Sequence, residues 1–342
     1  MKPTQQACNP FANSDTNKRY YTYDYYLRRT FGGKCLKVAL DIGCTCPNID
    51  GTCGYGGCIY CSGRGSGDFA PAPLQTVTAQ IEAGKRQLAA KWQSDRVIPY
   101  FQAHSNTYGD IDRLRAAYFE AIAYPGTVGV SIATRADCLG GDVLALLAEA
   151  SAMTHLTVEL GLQSASDETA ARIGRGHTYA AFCDGVSALR RTVPAAEICI
   201  HIINGLPGET RADMLATADA VAALHPEQLK IHSMHVLAGT PLADLYIKGA
   251  YTPLTLEEYV GITTEQLTRL PPETVIARVT GDGDRHATLA PAWSLRKKEV
   301  IAALDRYLYV HDLWQGKRAE PGNLHIFLIF SRCTHNSTMF LF

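Results

Sequence analysis

The sequence predicts an α/β fold, a partial (β/α)6-type parallel barrel with a C-terminal α/β extension, on three observations. Six short apolar runs alternate with helix-patterned segments between residues 37 and 235, which implies right-handed parallel crossovers. Polar and glycine-containing clusters follow the runs, whereas the segments before them are ordinary; in parallel barrels chemistry gathers at the C-terminal strand ends. The first run leads straight into a loop carrying five of the chain's 11 cysteines. With 342 residues and 46% hydrophobic composition the chain can bury a large core, and a single domain is the default.

Taken in order, residues 18–34 interleave five tyrosines with lysines and arginines. Such a segment either packs its rings on the barrel as an amphipathic lead-in or stacks bases and neutralises phosphates. Strand 37–42 then enters the cysteine loop at 44–61, closed by the glycine-rich run 62–67. Helix 74–92 precedes strand 97–101, helix 110–122 precedes strand 127–132, and helix 141–151 precedes strand 156–160. Helical material over 167–190 leads to strand 197–203, and helix 210–224 to strand 229–235. In that last strand Lys230, His232 and Met234 share one face and Ile231, Ser233 and His235 the other, and either set can point inward.

Beyond the barrel, helix 256–270 ends at Pro271-Pro272, strand 274–279 runs into an Asp/Gly-rich loop at 280–286, and a helix follows at 295–309. The loop lacks EF-hand spacing and its terminal Glu, so calcium is rejected there. It reads as a lid over the barrel or as an ordinary strand–turn–helix connection. The expected organisation is a lead-in at 1–36, a core barrel at 37–236, an extension at 237–318, and a tail at 319–342 that is either an edge strand or poorly ordered.

In the cysteine loop, Cys44, Cys46, Cys53, Cys58 and Cys61 are separated by Gly and Pro rather than by apolar periodicity. Thiols so placed converge on one centre only if the backbone folds tightly around it. Soft thiolates favour zinc or an iron–sulfur cluster. Structural zinc usually takes two C-x-x-C knuckles or completes its set with His. Here there is one C-x-x-C, Cys58 and Cys61, and no nearby His.

The loop resembles that of the radical S-adenosylmethionine (SAM) superfamily, in the subgroup where a Cys-Pro dipeptide stands well ahead of the final C-x-x-C. The Elongator catalytic subunit and the oxygen-independent coproporphyrinogen oxidases are related, as is a set of bacterial proteins with a nearly identical loop. The resemblance covers about residues 18–318. It implies that Cys46, Cys58 and Cys61 hold three irons of a [4Fe-4S] cluster, with the fourth iron chelating the amino and carboxylate groups of SAM. Tyr60 falls at the aromatic position near the adenine, and Cys44 and Cys53 fall outside the pattern as incidental small residues. Ser105, Asn106 and Thr107, within a hydrogen-bonding run after the second strand, match the position that contacts the methionine amino group. Ser131 stands where the coproporphyrinogen oxidases place a ribose-binding Glu. Arg135 and Asp137 nearby are equally an ion pair. Gln163 matches the ribose-binding Gln. Twelve residues on, Arg175 in Arg175-Gly-His177-Thr matches the Arg that neutralises the methionine carboxylate, a task suited to guanidinium geometry. His177 packs at a helix N-terminus or meets substrate. His201 occupies the position of an acidic ligand contact.

The implied activity is one-electron reduction of the cluster by a donor such as flavodoxin or ferredoxin, cleavage of SAM to a 5′-deoxyadenosyl radical, and hydrogen abstraction from a substrate. The first substrate expectation is RNA, in tRNA modification; small-molecule biosynthesis is the second. A zinc-stabilised nucleic-acid-binding module, with Cys44 or Cys53 as fourth ligand, is the non-enzymatic alternative. A formal charge of −1 excludes a global nucleic-acid signal, so such a partner needs a local patch. No segment has the pattern of a secretory signal or a membrane span, and a reducing cytoplasm is expected.

Overall fold

The computed structural model describes residues 9–65, 75–90, 92–281 and 283–319. It begins with helix α1 (Tyr23–Phe31), capped by the Thr22 side chain. There follow β1 (Leu36–Leu40), α2 (Val77–Ala89), β2 (Val97–Phe101), α3 (Ile111–Ala123), β3 (Gly129–Thr134), α4 (Gly141–Met153) and β4 (His155–Gln163). Then come α5 (Asp167–Arg172), α6 (Tyr179–Thr192), β5 (Glu197–Asn204), α7 (Arg211–Ala223) and β6 (Gln228–Ser233). The remainder is β7 (Val236–Leu237), α8 (Pro241–Ile247), α9 (Leu256–Arg269), β8 (Val275–Arg278), β9 (Thr288–Ala290) and α10 (Lys297–Val310).

Seven parallel strands form one sheet in the order β1-β2-β3-β4-β5-β6-β8, curled into a half-barrel. The expected six strands are there, and the strand expected in the extension adds a seventh by pairing with the free edge of β6. The curl follows from strand alternation. Val38, Val130, Ile132, Val158, Ile200 and Ile231 point outward into one apolar core with the helices. Their neighbours Lys37, Ala133, Glu159, His201 and Lys230 point inward and line a common cavity. The α7 and α9 helices each begin with a reciprocal capping box, Thr210/Asp213 and Thr255/Glu258, which stops the turns entering them from fraying.

The lead-in follows its packing alternative. Tyr20 and Tyr26 are buried, and Tyr21, Tyr23 and Tyr25 are half-buried. Tyr26 donates to the Glu197 carboxylate at 2.7 Å, Tyr23 stacks on Tyr26, and Ile276 N donates to Tyr21 O at 2.8 Å. The α1 helix thus closes the N-terminal end of the barrel. The helical stretch expected at 167–190 is two helices, interrupted by the loop that carries Arg175, where Gly174 and Gly176 both take positive φ. The small antiparallel pair β7–β9 and α8 were not anticipated. The edge strand or tail expected at 319–342 lies outside the described residues from position 320 onward. No helix among the described residues is long and apolar enough to cross a membrane.

Candidate active site

A cavity of about 1340 Å³ opens at the C-terminal ends of the strands. One wall of it is the cysteine loop. Cys46, Cys58 and Cys61 line the cavity, with Tyr60 between them. Cys44 and Cys53 do not line it: Cys44 packs on the main core, and Cys53 is exposed. A hydrogen bond from the Cys61 thiol, aided by the Arg175 guanidinium, holds the Cys58 thiol well below its usual range despite burial. The same bond pushes Cys61 the other way. Tyr60 packs its ring beside the apolar cluster of Ile173, Ile203 and Met234.

The wall is fastened to the Arg175 loop by a residue without an expected role, Asn48. Its Nδ2 donates to Gly174 O and Arg175 O, each at 2.8 Å, and to the Cys58 sulfur at 3.5 Å. Gly176 permits this approach, since a Cβ there would lie 2.2 Å from Asn48 Oδ1. Arg135 is a second fastener and pairs with Asp137. It makes a two-pronged pair with Asp137 at 2.9 and 2.7 Å, and also donates to Arg175 O at 2.9 Å and toward the Cys46 sulfur at 3.9 Å.

Gln163 and Arg175 meet beside Gly161 at the end of β4. The β4 strand bulges between Gly161 and Gln163, and Gln163 adopts φ 74°, an uncommon conformation for a residue with a side chain. Arg175 Nη2 donates to Gly161 O, and a Cβ at Gly161 would meet both Gln163 and Arg175 within 3.0 Å. Both side chains line the cavity.

Ser105 also lines the cavity, whereas Asn106, Thr107 and Ser131 do not. Asn106 donates to Ala133 O at 3.0 Å, and Thr107 bonds Thr134 and Cys138 O, so both join the loop after β2 to β3. Ser131 lies two positions before Ala133 on the same face of β3, with its hydroxyl buried and unpartnered. His177 stacks on Phe182 and bonds Thr178 O, away from the cavity.

His201 lines the cavity but is engaged by Glu159. The Glu159 carboxylate, fully enclosed, accepts from Lys37 at 2.6 Å, from His201 Nε2 at 2.8 Å and from Lys230. Burial lowers His201 to about 4, so the ring is neutral and Nε2 carries its proton. The open question about β6 resolves with Lys230 and His232 inward and Ile231 outward; at the strand end and just past it, Ser233, Met234 and His235 all line the cavity. Ligand atoms of Glu159, Cys199 and His201 lie within 4.8 Å of one another, but two lysines already occupy Glu159, which disfavours a cation.

Gly281 and Gly283 to His286 border the same space, and His235 anchors them. His235 Nδ1 lies 3.0 Å from the Ser294 hydroxyl, and its ring packs so close to Gly281 and Gly283 that a Cβ at either would come within 2.8 Å. Near the mouth lie the exposed Arg285, Arg296 and Lys298.

Three thiols on one wall suit a soft metal centre. A buried donor on the cavity lining, Arg175 Nε, has no protein partner. The donor set therefore fits an iron–sulfur cluster with a carboxylate-bearing ligand beside it.

Comparison with known proteins agrees. The Radical SAM superfamily model matches residues 49–221, and the Radical_SAM C-terminal domain model matches residues 226–309. The protein YtqA of Bacillus subtilis is 44% identical over 309 residues, covering 90% of this chain and 95% of that one. The tRNA uridine(34) acetyltransferase of Dehalococcoides mccartyi is 28% identical over 158 residues, 45% of this chain and 33% of that protein. Among solved structures, archaeal Elp3 from Methanocaldococcus infernus superposes with a TM-score of 0.62 at 16% identity. That match covers 82% of this chain and 64% of the Elp3 chain, and it speaks to the fold alone. The chain belongs to the radical SAM superfamily.

Proposed function

We propose that this radical SAM enzyme abstracts hydrogen from an RNA substrate, in the modification of a tRNA base, with a flavodoxin or ferredoxin as electron donor. Enzymes of this superfamily use a [4Fe-4S] cluster and SAM; when bound, the cluster supplies the electron that cleaves SAM to methionine and a 5′-deoxyadenosyl radical. Everything else falls to the chain's own side chains. Cys46, Cys58 and Cys61 hold three irons, and Asn48 and Arg135 fix the loop that presents them. Arg175 neutralises the methionine carboxylate, for which its unpartnered Nε is available. Gln163 binds the ribose, Tyr60 lies against the adenine, and Ser105 meets the methionine amino group. Asn106 and Thr107 hold the Ser105 loop on β3, and Ser131 belongs to the layer behind it. His201 positions Glu159 rather than touching the cofactor. The 280–286 loop, anchored by His235, serves as a lid over the substrate.

The observation that carries this reading is the convergence of three thiols, Gln163 and Arg175 on one cavity. The basic residues at its mouth, and the partial likeness to a tRNA uridine(34) acetyltransferase, support RNA as substrate. Anaerobically reconstituted protein, reduced with dithionite and given SAM, is expected to form 5′-deoxyadenosine, and to bind total tRNA at low salt with an affinity that falls steeply as salt rises. A colourless protein holding one zinc, or cleavage of SAM without any tRNA binding, would defeat the whole reading or its RNA part respectively. In the second case small-molecule biosynthesis takes its place.

A further inference from the structure

On the barrel floor, the function proposed above gives Lys230 no chemical task. Lys230 belongs to β6 and lines the cavity, with 7% of its side chain exposed. It donates to the Glu159 carboxylate and lies 3.3 Å from the Tyr100 hydroxyl. Lys37 donates to the other Glu159 oxygen at 2.6 Å, and both ammonium groups lie 4.5 Å from the centre of the Tyr100 ring. Two lysines thus share one carboxylate, and a single negative charge neutralises one of them.

The two are not equivalent. Lys37 keeps 19% of its side chain exposed and has the Tyr23 ring 5.3 Å away, so its charge is the less costly to keep. Despite burial, Glu159 holds Lys37 above the usual lysine range. Lys230 is the deeper: burial, with the charge of Lys37 adding repulsion, lowers it to about 8 although Glu159 touches it. Glu159 stays paired when Lys230 gives up a proton, because it keeps Lys37, the His201 Nε2–H at 2.8 Å and an N–H of the neutral amine. The other groups around Lys230 are Cys199 on β5, His232 two residues on along β6, and Arg278, its register partner on β8, which has contacts of its own. A desolvated amine beside a second cation is the setting in which a lysine becomes a nucleophile near neutral pH.

We infer that Lys230 is a nucleophilic amine that binds an aldehyde or ketone in this cavity as an imine. The inference goes beyond the RNA reading and does not rest on it: the carbonyl compound is a second substrate beside RNA, or the substrate itself in small-molecule biosynthesis. The Nζ lone pair attacks the carbonyl carbon, a C–N bond forms, and the carbonyl π pair moves to oxygen, which takes the Tyr100 hydroxyl proton. The nitrogen then returns a proton to Tyr100. A proton from solvent releases the new hydroxyl as water, leaving an iminium whose N–H donates to Glu159. Nothing is oxidised or reduced.

The test is reductive trapping on the full-length protein as purified, without SAM or dithionite. Acetaldehyde and sodium cyanoborohydride are added at about pH 6 to 9, the hydride reduces any imine to a secondary amine, and peptide mass spectrometry reads alkylation at each lysine. At about pH 7.5 Lys230 should react at least about tenfold faster than the exposed Lys298, because an amine titrating near 8 is neutral on the order of 100-fold more often than an ordinary lysine. The Lys230 to Lys298 ratio should fall as pH rises through about 8. Lys37→Met leaves Lys230 as the sole lysine on Glu159 and should cut the ratio at least about tenfold, whereas Lys37→Arg keeps the second cation and should preserve it. Thermal melts check that each variant is folded. A ratio of one or less at every pH would overturn the inference. So would an undiminished ratio in folded Lys37→Met, or modification of Lys230 without the hydride. Formation of 5′-deoxyadenosine is scored separately, so trapping at Lys230 in a protein that does not cleave SAM fails the proposed function and keeps the amine site, and the converse result does the reverse.

Discussion

The floor of the barrel buries one carboxylate and the turns above it half-bury another, and the two are driven in opposite directions. Burial penalises Glu159, yet Lys230 and Lys37 overcome it and hold the carboxyl well below its usual range. Glu209, on the turn after β5, is also shielded, but its close partner is the Ser164 hydroxyl at 2.5 Å, and burial lifts it to about 7. The partner, not the depth, decides the charge. The contrast extends to the two regions as a whole. The floor is made of strand side chains whose polar groups mostly find one another. The rim is made of loops, with thiols on one wall and Arg175 Nε left without a protein partner. Strands give the floor its rigidity; loops leave the rim groups for a ligand to claim.

Four perturbations test that division, beginning with the largest effect. Cys58→Ala should abolish iron retention, the brown chromophore and 5′-deoxyadenosine formation, while urea unfolding of the iron-free protein moves by only about 1 kcal/mol. Comparable loss of stability and of iron would mean that the rim is structural after all. Lys230→Met acts on the floor and should cost about 3–5 kcal/mol in the same denaturation measurement, because it strips a partner from an enclosed carboxylate. Adding Glu159→Gln should recover part of that loss, and the absence of recovery would show that packing, not charge, sets the cost. Asn48→Ala should weaken iron affinity by roughly 10–100-fold with little change in melting, the behaviour of a group that orients ligands. The smallest effect concerns pH. Glu209 titrates near 7 in the folded chain against an ordinary 4.5, so the folded state holds its proton between those values. Its stabilising contribution is complete below about 4.5 and disappears as pH rises through about 7. Melting curves from pH 4.5 to 8 should show Glu209→Gln gaining on wild type by on the order of 1–2 kcal/mol at the alkaline end.

Much of this was legible in the sequence because the signals were local. A strand buried on both sides reads as a short apolar run, and six of them appeared at nearly their observed bounds. The two- and three-residue strands β7 and β9 are too short to carry periodicity, and the pairing of β8 with β6 joins segments that no local pattern connects. In the site, Cys46, Cys58, Cys61, Gln163 and Arg175 were singled out by the resemblance to the radical SAM loops, and all five line one cavity. The groups that fasten them were not. Glu159 meets Lys37 across 122 residues and Lys230 across 71, and Asn48 reaches Arg175 across 127. His201 illustrates the converse difficulty, since a strand-end histidine reads the same whether it meets a ligand or a neighbouring carboxylate. Asn106, Thr107 and Ser131 do likewise: an amide or hydroxyl bonded to backbone, or buried alone, has the same sequence signature as one aimed at a cofactor.

The single amide of Asn48 touches a cysteine sulfur and two carbonyls of the arginine loop at once. The two loops are therefore one part, although 126 residues of chain separate them at Gly174. A chimera that imports the cysteine loop of a distant relative while keeping the native 174–176 segment would bring thiols of the right number on a mount of the wrong shape. Grafting both segments together, with a glycine retained at 176, is the smallest exchange that respects how this molecule is assembled.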